Sequence, residues 1–147
     1  MLKRITLAGA ISLVLLSGEP VSAQDCNAAG TVGSAGSAAA GGTSASTLGT
    51  GGTCNTDDGA TSSIASGGSA AAADGKASSR TNTIDNPNKL QTQSKAQAMD
   101  QGTFSKSRTK TTVQGDNLDS TTRTMSHDPG QKPVKSNTDS SVTLPQQ

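Results

Sequence analysis

Two sets of side chains in this sequence have the types and spacing to do chemistry: one pair of cysteines and one short alternating run of bases. Cys26 and Cys54 are the only cysteines among 147 residues, and they bracket a tract of Gly, Ala, Ser and Thr. Residues 24–75 carry four Asp and no Lys or Arg, so nothing nearby would turn either thiol into a nucleophile. In an oxidising compartment two such thiols pair, and a Cys26–Cys54 disulfide is the expectation. The second set is Lys106, Arg108 and Lys110, which alternate with Ser and Thr from Phe104 to Val113. In an extended chain all three point the same way, about 7 Å apart. Adjacent cations on one face repel each other unless an anion sits among them. That arrangement suits contact with a polyanion, such as an acidic polysaccharide, lipopolysaccharide or extracellular DNA. Nucleic acid is the weaker partner, because Phe104 is the sole aromatic residue and base stacking needs several.

Other chemistries lack their parts. His127 is the only histidine, so neither a histidine-assisted nucleophile nor a paired-histidine metal site can be assembled, and it reads as an exposed turn residue. Asp57-Asp58-Gly59 resembles the middle of a calcium loop, but the register puts Cys54 and Ala65 at ligand positions. Gly49 to Cys54 begins like a dinucleotide loop and ends in Cys, without a flanking strand and helix. No Gly-x-Ser-x-Gly elbow occurs. The expectation is therefore a protein that is not an enzyme, with no cofactor, no metal and no small-molecule substrate.

The elements that would position these residues read as follows. Residues 1–23 have the form of a secretory signal peptide: Lys3 and Arg4, an apolar run from Ile5 to Leu16, then Val21 and Ala23 before cleavage at Gln24. Twelve apolar residues are too few to span a membrane, so the segment predicts export to a secreted or periplasmic location, in a short form typical of bacteria, with no membrane span after cleavage. Beyond position 23 only thirteen residues are Val, Ile, Leu, Met or Phe, about a tenth of that stretch. That is below the level at which disorder is expected, and Trp and Tyr are absent. The fold class expected is thus mostly intrinsically disordered, low-complexity chain with no compact core.

Composition changes near residue 75. Residues 24–75 form a Gly/Ala/Ser/Thr segment of net charge −4, and residues 76–147 a polar, mildly basic tail of net charge +4. Within the tail, Asn86 as cap, Pro87 at the first helical position and Gly102 as terminator predict one marginal helix over residues 87–101. Leu90 and Met99 fall on opposite sides of it, so it has no apolar stripe to dock. Two functional readings follow. The first is an exported, flexible spacer or polyanion-interacting protein of the cell envelope or extracellular matrix. The second is a small disulfide-closed structural or self-assembling module at residues 24–75 with a passive tail.

Overall fold

In the computed structural model, which describes residues 26–57 and 59–145, segments after residue 75 alternate small side chains with longer or charged ones, whereas those before it are built almost wholly of Gly, Ala, Ser and Thr. Eight strands result: β1 (Ala28–Ala40), β2 (Thr43–Thr56), β3 (Gly59–Ala72), β4 (Lys76–Asn86), β5 (Lys89–Asp100), β6 (Thr103–Gln114), β7 (Asn117–His127) and β8 (Val134–Thr143). In β5 the residues Thr92, Ser94, Ala96 and Ala98 are buried, while Gln91, Gln93, Lys95, Gln97 and Met99 point outward. That period of two is a strand's, not a helix's. The signal segment expected at residues 1–23 lies outside the described residues.

Consecutive strands pair antiparallel, except β3 and β4, which do not pair. β1, β2 and β3 form one sheet in that order, and β4 to β8 form a second, also in chain order. Tight turns make this possible. At residues 101–102 both Gln101 (φ +45°) and Gly102 (φ +88°) are left-handed, as a two-residue turn matched to strand twist requires. Residues 73–75 carry the chain from one sheet to the other. The sheets pack face to face, β1 over β7, β2 over β6 and β3 over β5.

The interior is unusual in what fills it. One end holds an apolar cluster of Val32, Val113, Leu118 and Leu144, with Ala28, Leu90 and Val142 packed against it. The remainder is hydroxyls and small residues. Buried Thr47 bonds Ser107 at 2.6 Å and Thr109 at 2.7 Å across the sheets. Thr109 bonds Thr122 at 2.6 Å, Thr122 bonds Ser34 at 2.8 Å, and Ser34 bonds Ser120 at 2.7 Å. Ser120 bonds Thr111 at 2.8 Å and completes a chain of hydroxyls that crosses between the sheets repeatedly. Each buried hydroxyl therefore has a partner, which is the condition for burying it without penalty. The sheets approach so closely that a Cβ on Gly49 would lie 2.3 Å from Thr111 Oγ1, and one on Gly36 2.6 Å from Thr122 Cγ2.

These findings overturn the expected disorder and low-complexity behaviour. The reasoning from large apolar residues fails because close-packed Gly and Ala and paired Ser and Thr hydroxyls build this core. The predicted helix over residues 87–101 is also corrected. Residues 87–88 form a turn, β5 follows, and Gly102 closes a hairpin instead of a helix. All five strands of the larger sheet lie within residues 76–147, the segment read as a polar, mildly basic tail.

Candidate anion-binding face

The disulfide forms as expected. Cys26 and Cys54 are bonded to each other with Cα atoms 5.4 Å apart. Cys54 lies on β2 opposite Ala29 of β1, so the bond ties the start of the described chain to the end of the first hairpin. This is also the end of the sandwich that holds the apolar cluster, where Asn27 N donates to Asn55 O at 2.8 Å. A disulfide fits an oxidising, extracellular or periplasmic environment.

Lys106, Arg108 and Lys110 lie on β6, the middle strand of the larger sheet, and all three are exposed. Alternation puts buried Ser105, Ser107, Thr109 and Thr111 between them and turns the bases outward. The strand register brings further cations beside them. Arg108 pairs with Lys95 on one side and Arg123 on the other, and Lys95 pairs with Arg80. Arg80, Lys95, Arg108 and Arg123 thus form a row of four exposed cations running across four strands. Neighbouring strands are about 4.8 Å apart, so the row is a ladder of positive charge with roughly one charge per strand.

Lys106 and Lys110 flank this ladder. Lys106 sits in the row Ser78, Gln97, Lys106, Met125, Lys135, and Lys110 in the row Asn82, Gln93, Lys110, Thr121, Asp139. Nine of the ten Lys and Arg residues of the described chain face this side, Lys132 being the other, against two carboxylates, Asp119 and Asp139. Asp139, the acid diagonal to Arg123, accepts a hydrogen bond from Asn137 Nδ2. No acid stands directly across from Lys95 or Arg108. Like charges directly opposite one another in a sheet are destabilising, and adjacent rungs lie well within the Debye length of about 8 Å at physiological salt. The face is therefore electrostatically loaded.

A shallow depression of about 300 Å³ runs beside the ladder, bordered by Lys95, Gln97, Lys106, Arg108, Arg123 and Met125. At its far side Lys106 Nζ lies 4.7 Å from the centre of the Phe104 ring. His127 packs its ring 5.3 Å from Phe104. It ends β7 half-buried, which corrects its reading as an exposed turn residue. Among the described residues no three His, Cys, Asp or Glu side chains gather where they could hold a metal ion.

Arg80, Lys95 and Arg123 were not singled out from the sequence, although a signal existed. The four cations are separated by 15, 13 and 15 residues, and two-residue turns at 87–88, 101–102 and 115–116 set those positions opposite one another. Finding them required the turns to be recognised first. No protein-family model, curated protein or solved structure matches this chain, so its functional reading rests on this geometry.

Proposed function

We propose that the chain is an exported, disulfide-closed structural β module that holds an extended polyanion on the outer face of its five-stranded sheet. The observation that carries this is the ladder Arg80, Lys95, Arg108, Arg123, four cations in cross-strand register without an acid among them. A rigid sheet presents these charges already spaced, so binding costs little ordering on the protein side. An acidic polysaccharide suits the surface better than a nucleic acid, since the face offers Phe104 alone for stacking. The chain would lie across the strands, along the ladder, with Lys106 and Lys110 on either side. The module comprises both sheets, so the boundary near residue 75 is not the edge of the functional unit.

The test is retention of the oxidised protein on an immobilised polyuronate, eluted by salt. Each neutralised charge releases counterions, so affinity should fall steeply and log-linearly as salt rises. Flow-through at 50 mM salt would overturn the proposal.

A further inference from the structure

We infer that the outer face of the three-stranded sheet is a docking surface for a second copy of this chain, packed back to back. Every outward residue of β1, β2 and β3 is Ala, Gly, Ser, Thr, Leu or Cys, and none is charged. A face of this kind has nothing to hold a polyanion and nothing to repel its own copy. The same residue types, on the inward side of these strands, already support close sheet-on-sheet packing through hydroxyl pairs such as Thr47 with Thr109 at 2.7 Å.

The relief of the face is self-complementary. Leu48 projects from its centre, 52% exposed, between Ala35 and Gly67 on the neighbouring strands. Four residues along β2, Gly52 lies between Thr31 and Ser63 and lines a hollow of about 490 Å³. A two-fold axis lying in the interface along the row Gly33, Thr50, Ala65 brings Leu48 of each copy over Gly52 of the other. That is the symmetry of a closed, isologous dimer. The face spans three strands of 13 to 14 residues, or roughly 600 Å² per copy at about 4.8 Å between strands and 3.4 Å per residue. Two copies would bury roughly 1,200 Å², the lower end for a specific interface. Such a dimer turns both cationic faces outward, and two anion-binding faces on one particle raise avidity. The inference does not rest on the anion-binding reading.

Sedimentation equilibrium of the oxidised, exported protein, without any polyanion, tests it. The expected result is a reversible monomer–dimer equilibrium. Leu48→Lys should weaken association at least about 100-fold by burying an unpaired charge. Thr50→Lys, which sets two cations on the axis, should do the same. Gln97→Lys, on the opposite face, should leave the equilibrium unchanged. Both Leu48→Lys and Thr50→Lys substitute outward-facing positions, and far-ultraviolet circular dichroism checks that the sheets persist. A protein that stays monomeric at about 1 mM overturns the inference, as does association that neither Leu48→Lys nor Thr50→Lys weakens.

Discussion

The two sheets share one strand geometry and differ in what their outward positions carry. In the three-stranded sheet, Ala, Gly, Ser and Thr occupy both faces, and the outward face is neutral. In the five-stranded sheet the inward positions are mostly the same small residues, but the outward ones include nine Lys and Arg, interspersed with Gln and Asn. Core packing and surface charge are thereby separated. The inward faces close on each other through hydroxyls and glycines, and the outward face of the larger sheet can accumulate cations because it contributes nothing to the core. The lesson is that most of a sheet core can be built from side chains no larger than threonine, with a small apolar cluster at one end, provided that the two sheets approach closely and every buried hydroxyl finds a partner.

Filling the gap between the sheets is the strongest way to break this arrangement. Gly49→Val should cost more than about 3 kcal/mol, because its side chain would meet Thr111 and Thr109 where the sheets have no room to part. Wild-type oxidised protein should show a cooperative thermal transition by calorimetry, and the variant should lose it. A variant that melts like the wild type would mean the sheets are not in close contact.

Parts of this were legible in the sequence. The alternation of Lys106, Arg108 and Lys110 with Ser and Thr put the three bases on one side of an extended segment, and they share one face of β6. The cysteine pair read as a disulfide, and it forms. The fold as a whole was not legible, because the informative alternation is small against long, not apolar against polar. Thr92, Ser94, Ala96 and Ala98 carry too little hydrophobicity to register, yet all four are buried. Leu90 and Met99, nine positions apart, argued against a docked helix; that odd spacing is also what sets two residues on opposite faces of a strand. Asn86-Pro87 and Gly102 are turn signals as much as helix ends, and here they close hairpins. The ladder was hidden because it exists only across strands.

Removing the disulfide comes next in size. Cys26→Ser with Cys54→Ser opens a loop with a sequence separation of 28 and should cost about 3–4 kcal/mol, read as a lower denaturation midpoint in urea. The cost should leave the ladder's register intact, so retained anion binding below the new midpoint would sharpen the division between the sheets. Loss of binding at full folding would blur it.

A smaller effect is expected in the hydroxyl chain. Thr109→Val removes the group that bonds both Thr47 and Thr122 and should destabilise by about 1–3 kcal/mol, as unsatisfied buried polar groups do. Equal stability of the variant, measured by urea unfolding, would show that the hydroxyl chain contributes no net stability.

The smallest effect has the opposite sign. Arg108 stands between Lys95 and Arg123, so Arg108→Gln should stabilise the protein at low salt by about 0.5 kcal/mol, and added salt should erase the gain. The same substitution should weaken polyanion binding. Destabilisation at low salt would mean that Arg108 supports the sheet.

The arrangement of charge, as distinct from its amount, is tested most directly by comparing two variants of equal net charge. One changes Arg80, Lys95, Arg108 and Arg123 to Gln; the other changes Lys76, Lys89, Lys132 and Lys135 to Gln. Binding of each to single-stranded DNA, a polyanion of known charge spacing, is followed from 50 to 200 mM salt. The first should lose most of its affinity and reduce the slope of log affinity against log salt by about 3, near 0.7 per ladder contact removed. The second should keep most of the wild-type slope. Equal losses from the two variants would contradict the ladder and leave only a diffusely basic surface.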